Sequence, residues 1–131
     1  MDSGFLIALR SERDVHHQSA IELTSELKAG IYGHLVCSDY IFNESVNALA
    51  FKTKNISSAI ELGEYLLSDG IEMLEVKTEI FNVAWELFKK RKNLSFTDCT
   101  TIELMKANDV DYLVSFDEGF KQFSKEIKLL K

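Results

Sequence analysis

Residues 35–49, LVCSDYIFNESVNAL, combine a buried strand with a helix that follows at once, and this unit decides the fold. Its first three residues form a short apolar run, which is typical of a strand buried on both faces. Ser38 is a residue type that caps helix N-termini well. The apolar residues after it recur at helical spacing and include Ile41, Ala48 and Leu49.

The same alternation continues along the chain. Apolar spacing predicts helices over 15–29 and 56–67, around 80–88, and from about 95 to 108. Short apolar or alternating runs predict strands at 71–76, 112–115 and 127–130. Strands that alternate with helices indicate crossover units and a parallel sheet. We therefore expect a single α/β domain over residues 1–131, with three α/β/α layers and about four to five parallel strands.

Composition and net charge argue against several classes of function. The chain has 131 residues, of which 46% are hydrophobic and 27% charged, as in an ordinary globular domain. It lacks the run of about 18 apolar residues that a membrane span requires, so we expect a cytoplasmic protein without a membrane partner. A net charge of -6 argues against a broad basic surface for nucleic acid.

Acidic residues recur where a parallel sheet places its ligands, at the carboxyl ends of the strands. Asp2 follows what remains of a first strand, and Asp117 follows the strand at 112–115. Asp98 lies in the first turn of its helix. Glu44 lies inside the helix after Ser38, where its apolar neighbours place it at the border of the buried side.

Each of these acids also has an ordinary structural explanation. Ser95 and Asp98 match a helix capping box, and Asp117 with Gly119 matches a turn. Glu44 could instead pair with Lys52 or Lys54, and Asp2 could be an acid near a frayed terminus.

Several carboxylates gathered at one edge of a sheet repel one another, and this repulsion must be offset by positive charge. Two ionised carboxylates at 4 Å repel by roughly 4 kcal/mol at an effective dielectric of 20. A bound Mg²⁺ or Mn²⁺ removes that repulsion, because hard cations prefer oxygen ligands. Carboxylates without His or Cys are the ligand set for metal-assisted attack of water on a phosphodiester.

Four segments carry a family resemblance that spans nearly the whole chain. They are DSGFLIAL at 2–9, SDYIFNE at 38–44, LSFTD at 94–98 and SFDEGF at 115–120. In order and spacing they resemble the four acidic motifs of the PIN domain family, metal-dependent ribonucleases that include the VapC toxins of toxin-antitoxin pairs.

The resemblance implies specific roles. Asp2, Glu44, Asp98 and Asp117 would be the catalytic carboxylates that bind one or two Mg²⁺ or Mn²⁺ ions. Ser3 and Ser115 match hydroxyl positions that help to orient water or a substrate phosphate. The implied protein is an endoribonuclease toxin that binds RNA, forms a homodimer and pairs with an antitoxin protein.

The N-terminus departs from the family pattern, because only Met1 precedes Asp2 where relatives carry several strand residues. A late start codon or a shortened first strand would explain this difference. We expect a version extended upstream of Met1 to cleave RNA better than this chain.

Two other functions stay open. One is a PIN nuclease that processes ribosomal or transfer RNA. The other is a non-catalytic acidic α/β binding module, either PIN-like or of the receiver type. A receiver needs a Lys two strands after its acceptor Asp, and Ser38-Asp39 has no matching Lys after Val114.

Two further patterns have structural interpretations. The basic run Lys89–Lys92 is expected to be a solvated helix end, with contact to RNA as the alternative. Phe81, Trp85 and Phe88 repeat at helical spacing, which favours packing in the core or in a dimer over a base-stacking surface.

Overall fold

A computed structural model of the chain describes residues 1–52 and 54–131, without the side chain of Lys52. Its α-helices are α1 Ser3–Arg10, α2 His17–Lys28, α3 Asp39–Asn47, α4 Ile56–Leu66, α5 Thr78–Lys90 and α6 Phe96–Ala107. Its strands are β1 Leu35–Ser38, β2 Ile71–Leu74, β3 Tyr112–Val114 and β4 Lys128–Leu130. A π-helical turn at Ala48–Lys52 and a 3₁₀ helix at Glu118–Phe123 complete the set.

The strands form two parallel pairs. β1 pairs with β2, with Leu35 opposite Ile71, and β3 pairs with β4, with Tyr112 opposite Lys128. The predicted α/β class with parallel strands is confirmed, and the four strands that the structure describes fall into these two sheets.

The first two residues join the two strand pairs. The amino group of Met1 donates to the carbonyl of Val36 at 3.4 Å, and the Asp2 N–H donates to the carbonyl of Val114 at 3.0 Å. The expected remnant of a first strand is not a strand here. Asp2 is instead the N-cap of α1, a helix that the sequence analysis did not predict.

Each half of the molecule has its own core. The first core packs α1, α2, α3 and α4 against β1, and its fully buried residues include Phe5, Leu6, Ile41, Leu62 and Leu66. The second core packs α5 and α6 against β3 and the 3₁₀ helix, and it includes Cys99, Ile102, Leu113, Phe120 and Phe123. Acidic residues follow the carboxyl ends of one strand in each pair, Asp39 after β1 and Asp117 after β3.

Helix ends fall where the chain offers a cap or a stop. Ser38 accepts a hydrogen bond from the Ile41 N–H at 3.1 Å and so begins α3, as predicted. Gly30, with a φ of 74°, follows α2 in a left-handed conformation that suits glycine. Within residues 1–52 and 54–131, no helix has the length and apolar character that crossing a membrane requires.

Candidate active site

Asp2 is the most buried of the predicted site acids, with 4% of its surface exposed. One carboxylate oxygen accepts a hydrogen bond from the Phe5 N–H at 2.8 Å, and the other accepts one from the Ser115 hydroxyl. Burial raises the pKa of Asp2 above its ordinary value, although these hydrogen bonds oppose the rise. The structure therefore fixes this carboxylate in place at a cost in desolvation.

Ser115 connects two of the acids. Its Oγ donates to Asp2 and accepts a hydrogen bond from the Asp117 N–H at 3.0 Å. Ser115 is fully buried and directly follows β3, so its position is set by the core. A single hydroxyl thus holds the buried Asp2 beside the loop that carries the exposed Asp117.

Asp98 is the third residue of α6 and forms a capping box with the N-cap Ser95. Its carboxylate accepts from the Ser95 N–H at 2.7 Å, and its own N–H donates to the Ser95 hydroxyl at 3.0 Å. Burial raises the pKa of Asp98, and the negative charges of Asp117 and Glu44 raise it further. The capping role is confirmed, and it places the carboxylate beside the other acids.

Glu44 lies on α3, and its Oε1 accepts a hydrogen bond from the Ser3 hydroxyl at 3.1 Å. Ser3 is the first residue of α1, so this contact links two helices that are 41 residues apart in the chain. The alternative pairing with Lys52 involves a side chain outside those that the structure describes.

Asp117 is exposed and shapes the turn that was predicted. Its Oδ1 accepts from the Gly119 N–H at 2.6 Å. A Cβ at Gly119 would lie 2.9 Å from the backbone oxygen of Asn93, which is too close for a real contact. Glycine therefore lets the loop after β3 approach the loop before α6.

The four carboxylates share one electrostatic neighbourhood. The charge of Asp98 is felt by Asp2, and the charges of Asp117 and Glu44 are felt by Asp98. In the part of the chain that the structure describes, however, no three acidic, His or Cys side chains stand at metal-ligand spacing. Each carboxylate already accepts a hydrogen bond from the protein. We call Asp2, Glu44, Asp98 and Asp117 the acidic cluster.

The donor set of the cluster suits a hard divalent cation, because it consists of carboxylate and hydroxyl oxygens. Asp2 is buried and fixed on both oxygens, whereas Asp117 is exposed at a loop. An arrangement of fixed and adjustable carboxylates can close around an ion by side-chain rotation.

Sequence reasoning missed the aromatic rings that border the cluster. Phe96 lies two residues before Asp98, and Tyr40 lies one helical turn before Glu44. Their rings meet edge to face, with centroids 6.2 Å apart. The available signal was the aromatic residue inside each of the two acidic motifs, SDYIFNE and LSFTD.

A family model described as the PIN domain matches residues 1–126. The chain belongs to the PIN domain family. A VapC ribonuclease of Archaeoglobus fulgidus is 25% identical to this PIN domain over 123 residues, covering 92% of this chain and 77% of that protein. The family predicted from the four motifs is therefore confirmed.

The fold is also found in a solved structure. The crystal structure of Mycobacterium tuberculosis VapC20, described as a sarcin-ricin loop cleaving toxin, matches with a TM-score of 0.82. The match covers 97% of this PIN domain and 94% of that chain, at 20% identity. At this identity the likeness establishes the shared fold.

Proposed function

We propose that this PIN domain is an endoribonuclease that depends on Mg²⁺ or Mn²⁺ and acts as the toxin of a type II toxin-antitoxin pair. The observation that carries the proposal is the acidic cluster, in which four carboxylates from distant segments influence one another electrostatically. The similar protein from A. fulgidus is a VapC ribonuclease, which supports RNA as the substrate.

The buried acids give the cluster a reason to bind a cation. Burial and mutual repulsion both raise the pKa of Asp98, so its ionised form is destabilised in the folded protein. A divalent ion would supply the opposite charge and would stabilise the charge that develops on the attacking and leaving oxygens of the phosphodiester.

The chain's own residues would do the positioning. Ser115 holds Asp2 through a hydrogen bond and stabilises the turn at Asp117. Ser3 orients Glu44 at 3.1 Å. The capping box fixes Asp98 at the start of α6. Each carboxylate thus accepts a hydrogen bond from a neighbour that orients it.

Assembly and location form part of the same proposal. We propose a cytoplasmic homodimer that pairs with an antitoxin protein; the matched M. tuberculosis structure is described as a toxin, which supports a role as a toxin. Sedimentation of the purified chain with and without a co-expressed neighbouring gene product tests this part, and a monomer that forms no complex would contradict it.

RNA cleavage by the purified chain tests the central part of the proposal. We expect cleavage with Mn²⁺, loss of cleavage with chelator, and a rate lower by about 100-fold or more in Asp98→Asn, since even outer partners of metal ligands cost 10- to 100-fold. Asp69→Asn, in the exposed turn before β2, is the matched control and should retain the rate. Cleavage that survives both chelator and Asp98→Asn would contradict the proposal.

One observation favours a second candidate function, a non-catalytic binding module. Within residues 1–52 and 54–131, the acids satisfy protein donors and do not converge at ligand spacing. This alternative predicts that Mn²⁺ neither raises the melting temperature nor produces cleavage.

A further inference from the structure

The loop after β3, which carries Asp117, has an aromatic anchor on each side of that acid. Phe116, directly before Asp117, packs against the first core. Phe120, three residues after Asp117, belongs to the second core and is 1% exposed. Asp117 itself is exposed. The position of its carboxylate therefore depends on how firmly each of the two rings is held.

The two rings are held to different degrees. Phe120 is enclosed by the protein, whereas Phe116 is only half-buried. The Phe116 ring lies face to face with the imidazole of His16, with ring centroids 4.4 Å apart and ring planes within 8° of parallel. The buried ring of Phe5 also contacts Phe116, at a centroid distance of 6.1 Å. Because burial decreases from Phe5 to Phe116 to His16, the imidazole forms the outer layer of the stack.

The stack lies beside the contacts that hold Asp2. The Phe5 N–H donates to one oxygen of Asp2 at 2.8 Å. The Ser115 hydroxyl donates to the other oxygen, and Ser115 directly precedes Phe116 in the chain. Two rings of the stack therefore belong to the two segments that meet at Asp2. A change that releases the Phe116 ring acts on the segment that carries both Ser115 and Asp117.

The backbone of His16 is fixed by its own segment. Its N–H donates to the Asp14 carboxylate at 2.9 Å, and it is the N-cap residue of α2. The ring of His17, the first residue of α2, donates to the carbonyl of Ala8 on α1 at 2.7 Å. N-cap positions favour Ser, Thr, Asp or Asn. Within the part of the chain that the structure describes, the His16 side chain caps no amide of α2 and instead stacks on Phe116.

We propose that His16 is a positioning residue that holds Asp117 in the acidic cluster through its stack on Phe116. Stacked aromatic pairs contribute enough free energy beyond the burial of their surface to change an equilibrium about two- to tenfold. The stack requires a flat ring at position 16. The inference rests on the proposed function, because it gives Asp117 a part in binding the cation.

Three single variants separate the stack from other effects of a substitution. His16→Ala removes the ring, whereas His16→Tyr keeps a flat ring that can stack on Phe116. His34→Ala is the matched control. His34 is also exposed, but its ring lies before β1 and 3.5 Å from the Glu72 carboxylate, so this variant removes an imidazole from another part of the surface.

Amide hydrogen exchange in the metal-free chain measures the order of the loop directly. The Asp117 N–H donates to the Ser115 hydroxyl, and the Gly119 N–H donates to the Asp117 carboxylate. Both amides should exchange about two- to tenfold faster in His16→Ala, because the loop opens more often when the stack is absent. Both should exchange as in the parent chain in His16→Tyr and His34→Ala.

Titration with Mn²⁺ gives a second measurement. The affinity should fall about two- to tenfold in His16→Ala, and His16→Tyr should restore it. Phe116→Leu keeps an apolar side chain without a flat ring and should lower the affinity as well. In the Phe116→Leu chain, the further change His16→Ala should have little effect, because both residues act through one contact.

Three outcomes overturn the inference. One is unchanged exchange at Asp117 and Gly119 in His16→Ala. Another is exchange that rises equally throughout α2 and the loop, which would limit His16 to the start of its own helix. The third is that the effects of His16→Ala and Phe116→Leu on Mn²⁺ affinity multiply as independent changes do. A parent chain that binds no Mn²⁺ would contradict the proposed function, while the exchange rates would still decide whether His16 holds the loop.

Discussion

The acidic cluster contains two pairs of acids that the protein holds in different ways. Asp98 and Asp117 are held by donors within three residues of themselves, in a capping box and a turn. Glu44 is held by the Ser3 hydroxyl, 41 residues away in sequence, and Asp2 by the Ser115 hydroxyl, 113 residues away, in addition to the local Phe5 N–H. The first pair forms with its own local structure, whereas the second pair is held only after segments distant in sequence have packed together, within the first core for Glu44 and across the two cores for Asp2.

This difference separates two kinds of sensitivity. Losing a local donor should affect one helix end or one turn. Losing a long-range hydroxyl should affect both the packing of two distant segments and the position of a carboxylate.

Ser115→Ala should be the most damaging of these changes. It leaves the buried Asp2 without its side-chain donor and the Asp117 N–H without its acceptor, so we expect a loss of about 2 to 3 kcal/mol in unfolding free energy. Affinity for Mn²⁺ should fall about 10- to 100-fold. Denaturant unfolding and metal titration measure the two effects.

The control for that change is Ser45→Ala. Ser45 is equally buried, but its hydroxyl donates to Ile41 within its own helix. It should cost less stability and leave metal affinity unchanged. Equal effects of the two variants on metal affinity would contradict the role given to Ser115.

Gly119→Ala should have the next largest effect. The added methyl would meet the Asn93 backbone oxygen at 2.9 Å, so the loops around Asp117 and Asp98 must separate, at about 1 to 3 kcal/mol. Gly63→Ala is the control, because its Cβ would make ordinary contacts with Phe42 at 3.6 Å. Thermal unfolding compares them, and a neutral Gly119→Ala would show that the close approach is relaxed easily.

Ser95→Ala should cost about 1 kcal/mol of stability, the usual value of an N-cap. Asn55→Ala removes the cap of α4 and should cost a similar amount. The two should differ in cleavage rate, because only Ser95 holds Asp98. A rate that falls equally in both variants would assign the loss to stability alone.

The smallest effect should be a difference in pH dependence between the parent chain and Asp98→Asn. The pKa of Asp98 is raised on folding, so its favourable contribution is complete below the unfolded pKa of about 4 and is lost as pH rises through the folded pKa. Asn stays neutral, so the stability of the variant relative to the parent should increase over that range.

Melting temperatures at pH 4 to 7.5 without metal measure this difference. Mn²⁺ should reverse it near neutral pH by stabilising the parent chain more than the variant. A constant difference across the whole range would mean that Asp98 does not titrate with a raised pKa.

Much of the fold followed from local pattern. Ser38, Ser95 and the Asp117 turn were predicted because their hydrogen bonds lie within a few residues, where sequence spacing fixes geometry. Strands β1 to β4 were predicted from short apolar runs, with ends shifted by one or two residues.

Other features could not be predicted from local pattern. Helix α1 was missed, because its cap is the residue that the family motif suggested as a strand end. The sequence left open whether Phe81 and Trp85 pack in the core or in a dimer, because helical spacing identifies an apolar stripe without showing what covers it, and in the single chain both are exposed.

The sequence by itself determined the α/β class, the family and the four acids that it predicts as ligands, because these depend on periodicity and motif order. The tertiary structure alone decided which hydroxyl holds which acid, how Met1 and Asp2 join the strand pairs, and that Phe81 and Trp85 are exposed. These features depend on which segments distant in sequence come into contact in the folded chain, and local sequence pattern does not specify such contacts.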